Sequence, residues 1–240
     1  CHWNLNSICT RNKIKISLIE AYNSIFHYDL IAISESFLNE TIKDEDIFIE
    51  GFSKEVFRSD HPNGKKEGGV CLYFKENLPI KRRKDLEIIQ ETIICEINIR
   101  RKKIFFIVTY RSPNQSNLEF DYFHEKLQET LDNIKDAKPH CIILTGDFNC
   151  RSTQWWSGDT DTREGIMLDE LVESNNLTQL IDQPTNIEPR GISCVDLIIT
   201  DQPNLFVDHG IHSSLDNCCH HQIIYGKINI TVPSPPPYKR

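Results

Sequence analysis

The feature that most constrains this chain is a short apolar run that stops at a glycine and is followed by polar residues. Residues 141–145 are apolar or β-branched, and Gly146, Asp147 and Asn149 come directly after them. The run is too short for a free-standing helix and predicts a buried strand. Ligand sites in α/β sheets lie beyond strand ends, and residues two apart point the same way, so Asp147 and Asn149 are expected to face a cleft. An ordinary turn is the alternative, because glycine, aspartate and asparagine are the usual turn residues.

Length and apolar content predict one large α/β domain. The chain has 240 residues, of which 39% are hydrophobic, and no run of eighteen apolar residues or basic-then-apolar leader. Neither a membrane span nor a signal peptide is therefore expected. We assign residues 1–230 to the domain and residues 231–240, which contain three consecutive prolines, to an extended linker. The start at Cys1 without an initiator methionine suggests a piece of a longer polypeptide.

Charge and cysteine content limit the partners and the compartment. The formal charge of -8 argues against a protein that binds nucleic acid through bulk charge, so any DNA contact must be local. The two basic clusters, residues 81–84 and 100–103, are available for such contact, although solvated hairpin ends are the simpler interpretation for at least one. Nine cysteines, several of them inside strand-like runs, indicate a reduced intracellular protein.

Hydrophobic periodicity predicts helices alternating with strands. Apolar residues recur at helical spacing over 14–25, 120–134 and 164–175, and a capping box at Ser116 opens the second of these helices. Strands are predicted at residues 2–5, 28–34, 70–74, 92–99, 104–110, 141–145, 193–200 and 222–230. Two αβ halves of similar plan favour sheets packed face to face with helices outside.

Polar residues stand at the ends of several of these strands. Glu35 follows one strand, and Tyr110 with Arg111 ends another, although single residues of these types are common in loops. Asp196 is more unusual because it lies within an apolar run, and a buried carboxylate needs a partner.

Taken in order, these residues resemble the endonuclease/exonuclease/phosphatase superfamily over nearly the whole chain. The resemblance is closest to the apurinic-type endonuclease domain of non-LTR retrotransposons, which precedes a reverse transcriptase. It implies an α/β, four-layer sandwich of two mixed β-sheets packed face to face with helices outside. The residues and segments that carry it are Asn4, Glu35, Gly68-Gly69, residues 110–113, residues 146–149, Trp156, Gly165, Pro184-Thr185, residues 193–196 and His221.

The resemblance implies a metal-dependent phosphodiesterase. Hydrolysis of an anionic phosphodiester requires a cation at the leaving oxygen, an activated water and donors to the phosphoryl oxygens. Mg²⁺, with Mn²⁺ as a substitute, would be held by Glu35 with Asn4. The implied catalytic residues are Asp147, Asn149, Asp196, His221 and Tyr110, and the implied substrate-binding residues are Arg111, Trp156, Thr185 and Ser193.

Each implied catalytic residue has an expected role. Asp147 would orient the water, and Asn149 and Tyr110 would donate to the phosphate. Asp196 would fix the tautomer of His221, and either Asp147 or His221 would take the proton. The implied substrate is double-stranded DNA, nicked to leave a 3′-hydroxyl that primes a reverse transcriptase in the same polypeptide, in the nucleus.

One segment departs from the family pattern. Cys219-His220-His221 stands where the family has Ser-Asp-His, whose acid serves as a further metal ligand. The resemblance therefore implies that His220 is a metal ligand with Glu35 and Asn4, and its imidazole is expected to weaken Mg²⁺ binding. Ser-Asp-His does occur at residues 59–61, but no apolar strand follows it, and we expect no catalytic role there. A zinc site at residues 218–221 fits poorly, because adjacent ligands without a second spaced pair do not suit a tetrahedral site.

Two other functions stay open on the sequence. A phosphatase of the same fold acting on lipid or inositol phosphates is the first, and a decayed binding scaffold is the second. Trp155 and Trp156 likewise have two interpretations, insertion at a flexible DNA step or a loop anchored on the core.

Overall fold

Fourteen strands and three α-helices make up the part of the chain that the computed structural model describes, residues 1–9, 14–62, 67–188, 191–213, 219–230 and 232. The helices are α1 (Ile14–Phe26), α2 (Asn117–Asp136) and α3 (Arg163–Ser174). The strands are β1 (His2–Asn4), β2 (Leu30–Ser34), β3 (Phe57–Ser59), β4 (Val70–Phe74), β5 (Ile80–Arg82), β6 (Thr92–Ile99), β7 (Lys102–Tyr110), β8 (Cys141–Asp147), β9 (Thr178–Gln179), β10 (Asn186–Glu188), β11 (Gly191–Ser193), β12 (Asp196–Thr200), β13 (Phe206–His212) and β14 (Ile223–Ile228).

The strands form two six-stranded mixed sheets and a separate hairpin. The first sheet has the order β13-β14-β1-β2-β4-β3, and the second has the order β5-β6-β7-β8-β12-β9. Each sheet contains one parallel pair, β1 with β2 and β7 with β8, and its other pairs are antiparallel. Strands β10 and β11 form a two-stranded hairpin, and Asn186 of β10 makes an isolated antiparallel bridge with His221.

A shared apolar core joins the two sheets. Val70 and Leu72 of the first sheet belong to one buried cluster with Ile107 and Leu144 of the second sheet. Helix α1 buries Ile16, Ile19 and Tyr22 in a second cluster with the opposite face of the first sheet. Helices α2 and α3 pack on the second sheet. The predicted four-layer sandwich of two mixed sheets with helices outside is confirmed.

Local sequence explains the longest helix. Ser116 has extended backbone and accepts a hydrogen bond from the Glu119 amide, while the Glu119 carboxylate accepts one from the Ser116 amide at 2.7 Å. This reciprocal pair of hydrogen bonds satisfies backbone amides that the start of a helix otherwise leaves without an acceptor.

No helix in the described residues has the length and apolar character needed to cross a membrane.

Gly146 is required where β8 passes beside β7. It has φ +154°, and a Cβ there would collide with the Thr109 carbonyl oxygen, a backbone atom that cannot move aside. The glycine that ends the apolar run of the sequence therefore permits the close pairing that places Asp147 beside Tyr110.

The prediction of one strand over residues 193–200 was wrong. The chain forms β11 up to Ser193 and β12 from Asp196, and Cys194 and Val195 between them lie in neither strand. The Thr185 hydroxyl accepts hydrogen bonds from the amides of Val195 and Asp196, which redirects the backbone at this point.

Strand β13 was not predicted from the sequence, because its polar residues are partly exposed and interrupt the apolar pattern. Of the predicted linker, only Val232 lies among the described residues, so that boundary stays a prediction.

Candidate active site

The polar strand ends of both sheets meet at one edge of the sandwich. In the first sheet, β1 ends at Asn4 opposite Ser34, the residue before Glu35. In the second sheet, Asp147 pairs with both Tyr110 and Asp196 across the ladder. The parallel pair in each sheet brings two carboxyl ends together, which is why these residues, far apart in sequence, converge.

Asn4 links carboxylates from the two sheets. Its Nδ2 donates to Glu35 Oε1 at 3.1 Å and to Asp147 Oδ2 at 2.8 Å. The Tyr110 hydroxyl also donates to Glu35 Oε1, at 3.1 Å. Glu35 has a φ of 49°, a left-handed conformation uncommon for glutamate, and Asn149 has the same φ, which asparagine adopts more readily. Backbone strain of this kind concentrates at functional sites.

Asp196 and His221 form a buried pair beside this link. His221 Nδ1 lies 2.8 Å from Asp196 Oδ2, and the Asp196 side chain is fully buried. The other carboxylate oxygen, Oδ1, has no hydrogen-bond partner among the described residues, and His2 Nδ1 lies 3.6 Å from it. Ligand atoms of Asp147, Asp196 and His221 all lie within 4.8 Å of one another.

The surroundings shift the pKa values of three of these groups. Burial, and next the Asp196 carboxylate, raise the pKa of Asp147 well above the usual range for aspartate. Burial is the largest single influence on the pKa of His221 and lowers it, but the Asp196 carboxylate together with those of Asp147 and Glu35 outweighs burial and raises this pKa to about 10. Burial lowers the pKa of His2 to about 4, so His2 is neutral. At neutral pH, His221 is therefore an imidazolium.

The donor set fits a hard divalent cation. Three carboxylates lie together, those of Glu35, Asp147 and Asp196. Of the side chains that these hydrogen bonds join, His221 alone carries a positive charge. Divalent metals such as Mg²⁺ prefer carboxylate oxygens of this kind.

Arg111 and Asn149 lie at the site, but their side chains bond to backbone. The Arg111 side chain is buried and donates to the carbonyls of Phe148, Ser112 and Asn149, the last at 2.6 Å. Asn149 Nδ2 donates to the Arg111 carbonyl at 2.9 Å. These bonds brace the loop after Asp147. The predicted contacts of both side chains with substrate stay predictions.

The other predicted substrate-binding residues are spread around the same rim. Thr185 is fully buried and holds the start of β12, and Ser193 lines a cleft of about 260 Å³ with Asn149 and Arg151. Trp156 is half-buried and packs against the core, whereas Trp155 is buried and donates to Asp169. The loop carrying both tryptophans is therefore anchored on the core at Trp155.

His220 lies next to the site in sequence, but its side chain is exposed. Its carbonyl accepts a hydrogen bond from the Ile187 amide, which ties it to β10. Cys219 is buried and donates its thiol to the Asn4 carbonyl at 2.8 Å, and burial raises the pKa of this thiol to about 11. Cys218 lies outside the described residues. The role predicted for His220 as a metal ligand stays a prediction.

The Ser-Asp-His at residues 59–61 makes contacts of its own. The Asp60 carboxylate accepts a hydrogen bond from Arg58 at 2.6 Å.

Sequence patterns did not single out His2 or Ser34. His2 Nε2 lies 2.7 Å from Ser34 Oγ, and this fully buried pair lies behind Asp196. The only signal in the sequence was an imidazole within the buried first strand, which by itself does not indicate a partner.

The fold is that of the endonuclease/exonuclease/phosphatase superfamily, and solved structures with the same architecture include three nucleases. The endonuclease domain of TRAS1, a telomere-specific non-LTR retrotransposon, superposes with a TM-score of 0.73 at 19% identity, covering 95% of this chain and 97% of that one. The AP endonuclease LMAP from Leishmania major gives 0.77 at 12% identity, covering 92% and 84%. An AP endonuclease from Archaeoglobus fulgidus gives 0.69 at 15% identity, covering 95% and 98%. No curated protein matches the sequence.

The chain belongs to the endonuclease-reverse transcriptase family, whose model matches residues 104–225, just over half of its length. The matched segment includes Tyr110, Asp147, Asp196 and His221. The family predicted from the sequence motifs is thereby confirmed, and the chain is a nuclease with an acidic cluster consistent with metal-dependent hydrolysis.

Proposed function

We propose that this domain is a Mg²⁺-dependent endonuclease that nicks one strand of double-stranded DNA and leaves a 3′-hydroxyl. The observation that carries the proposal is the link through Asn4, which joins Glu35 and Asp147 beside the pair of Asp196 and His221. Carboxylates for a metal, a proton acceptor and an imidazolium thus lie together, as phosphodiester hydrolysis requires.

Glu35 with Asn4 would hold the metal, and Mn²⁺ would substitute for Mg²⁺ because both accept carboxylate oxygen. A bound divalent cation supplies positive charge to the phosphate and its leaving oxygen. The chain itself must then provide the proton acceptor for the attacking water and the hydrogen-bond donors to the phosphate.

Asp147 is the proton acceptor in this proposal. Its raised pKa makes it a stronger base than an ordinary aspartate, while His221 already carries a proton at neutral pH and cannot accept another. The His221 imidazolium, oriented by Asp196, instead stabilises negative charge on the phosphate. Asn149 donates to a phosphoryl oxygen, and the Tyr110 hydroxyl does so on turning away from Glu35, because a phenol has only one proton to donate.

Several features support DNA as the substrate and a reverse transcriptase as the partner. The family model carries both activities in its description, and the TRAS1 domain of the same fold comes from a retrotransposon. The overall charge of -8 restricts contact with the DNA backbone to local groups such as exposed Arg151 at the cleft. A domain that nicks chromosomal DNA to prime reverse transcription would act in the nucleus. Every cysteine that the structure describes is a free thiol, which suits a reducing compartment.

Nicking of supercoiled plasmid in Mg²⁺, beside a parallel sample in EDTA, tests the proposal. We expect open-circular product in Mg²⁺ alone, and no release of phosphate from soluble inositol phosphates. Phosphate release without nicking would replace the nuclease proposal with a phosphatase. Inactivity on both substrates, with folded protein and Mn²⁺ also present, would favour the decayed scaffold.

A further inference from the structure

Glu91, which lies just before β6 in the second sheet, is bonded to the loop that carries Glu35 in the first sheet. The Glu91 carboxylate accepts a hydrogen bond from the Gly69 amide. The Gly69 carbonyl in turn accepts one from the Ser36 amide at 3.1 Å, directly beside Glu35. Two bonds therefore connect the Glu91 side chain to the backbone next to the predicted metal ligand.

A second path connects the Glu91 backbone to the Glu35 side chain. The Glu91 carbonyl accepts a hydrogen bond from the Tyr110 amide at 3.0 Å. The Tyr110 hydroxyl donates to Glu35 Oε1 at 3.1 Å. Together the two paths close a ring of hydrogen bonds that runs from Glu91 through both sheets and back.

The backbone around this ring is held in uncommon conformations. Glu91 has a φ of 52° and Glu35 a φ of 49°, and Gly68 and Gly69 have φ of 59° and 78°. A Cβ at Gly68 would collide with the Glu91 carboxylate, so the glycine lets that carboxylate approach the loop. Conformations of this kind persist only where surrounding contacts fix them, and here the Glu91 carboxylate is one such contact.

We propose that Glu91 is a positioning residue: its carboxylate, bonded to the Gly69 amide, fixes Glu35 against Tyr110 and thereby sets the affinity of the site for its divalent cation. Glu91 acts through Glu35 and does not itself touch the metal or the phosphate. The nicking readout rests on the proposed function, whereas the metal-binding readout does not.

Three substitutions separate hydrogen bonding from charge. Glu91→Gln keeps an oxygen acceptor at the same reach and loses the charge. Glu91→Asp keeps the charge and shortens the side chain by one methylene, and Glu91→Ala removes both. The control is Asp201→Ala. The Asp201 carboxylate also accepts a hydrogen bond from a backbone amide, that of Ile142 at 2.7 Å, but at the end of β8 opposite to Asp147.

The test measures Mn²⁺ binding by electron paramagnetic resonance without DNA, and nicking rates at saturating and limiting metal. Loss of an outer partner of a metal ligand typically costs about 10- to 100-fold in metal affinity or activity. We expect losses of that size for Glu91→Ala and Glu91→Asp, values close to wild type for Glu91→Gln, and unchanged metal affinity for Asp201→Ala.

Wild-type affinity in Glu91→Asp, or a loss in Glu91→Gln equal to that in Glu91→Asp, would overturn the proposal. The second result would mean that an oxygen acceptor at the reach of Glu91 is not sufficient, so that the hydrogen bond to the Gly69 amide is not what Glu91 contributes. If Glu91→Ala does not fold, the comparison of Glu91→Asp with Glu91→Gln still decides, since the proposal requires the Glu91→Gln protein to bind Mn²⁺ more tightly than the Glu91→Asp protein. A wild-type protein that binds Mn²⁺ but never nicks DNA would refute the proposed function and leave the role of Glu91 to the binding data.

Discussion

Asp147 and His221 hold protons more strongly than ordinary side chains of their types, for different reasons. Burial, followed by repulsion from Asp196, raises the pKa of Asp147. Burial lowers the pKa of His221, but attraction to Asp196, with smaller contributions from Asp147 and Glu35, outweighs burial and raises it. The Asp196 carboxylate thus contributes to both shifts. Groups whose environments separate their protonation states in this way are typical acid-base partners.

Four single substitutions to alanine, at Glu35, Asp147, Asp196 and His221, test the assigned site. Each should reduce the rate of nicking by about 100-fold or more, as expected for a lost metal ligand or acid-base group. Plasmid nicking by folded variants measures this. Asp60→Ala is the control, and its rate should stay close to that of wild type because Asp60 bonds to Arg58 outside the cluster. Full activity in any two of the four variants would refute the site assignment.

The stability of the metal-free protein should depend on pH through His221. Its folded-state pKa of about 10 lies above the ordinary value of 6.5, so protonation stabilises the fold fully below pH 6.5. That contribution is lost as the pH rises toward 10. In EDTA, the difference in melting temperature between wild type and His221→Gln should shrink from pH 6.5 to pH 10. A difference that grows over this range would contradict the raised pKa.

At the residue scale, the sequence predicted the pairing of Asp196 with His221 but not the contacts behind it. An acid in an apolar run required a partner, and the family resemblance supplied the imidazole. The bonds from Asn4 to both Glu35 and Asp147, and the position of His2 behind Asp196, depend on how two sheets pack. Such contacts leave no periodic trace in the sequence.

At the scale of elements, the start of α2 depends on its capping box. Ser116→Ala removes the side-chain acceptor for the Glu119 amide and should lower the free energy of unfolding by about 1 kcal/mol. Urea unfolding monitored by circular dichroism measures the change. Ser24→Ala, an exposed serine near the end of α1 whose hydroxyl bonds to the Ala21 carbonyl, is the control and should have a smaller effect. Equal effects of the two substitutions would mean that the cap does not stabilise the helix.

Element boundaries were predictable wherever periodicity was strong. Strands β4 and β6 have the predicted bounds, because their apolar residues are flanked by glycine or polar residues. The break between β11 and β12 was not predictable. It depends on hydrogen bonds from the amides of Val195 and Asp196 to the hydroxyl of Thr185, which lies eleven residues before Asp196, and these bonds interrupt a run that is apolar in sequence.

At the scale of the molecule, the site exists only when both sheets are packed together. The first sheet contributes Asn4 and Glu35, and the second contributes Tyr110, Asp147 and Asp196. The four-layer plan was predictable from the alternation of elements and the resemblance. The strand order was not, because non-local pairing is not written in hydrophobic periodicity.

Metal binding should therefore stabilise the folded state. A ligand that binds only the folded protein at a concentration 100 times its dissociation constant adds about 2.7 kcal/mol. Mg²⁺ or Mn²⁺ should raise the melting temperature of wild type, and EDTA should reverse the rise. Glu35→Ala should respond much less. An equal rise in that variant would place the metal elsewhere on the protein.

The central claim, that this site cleaves DNA to leave a usable 3′-hydroxyl, is tested most directly by primer extension at the nick. Supercoiled plasmid is treated with wild type or Asp147→Ala in Mg²⁺, and a DNA polymerase with labelled nucleotides is then added without any phosphatase. We predict label incorporation at nicks made by wild type and none above background with Asp147→Ala. Nicks that the polymerase extends only after phosphatase treatment, or equal incorporation with both proteins, would contradict the claim.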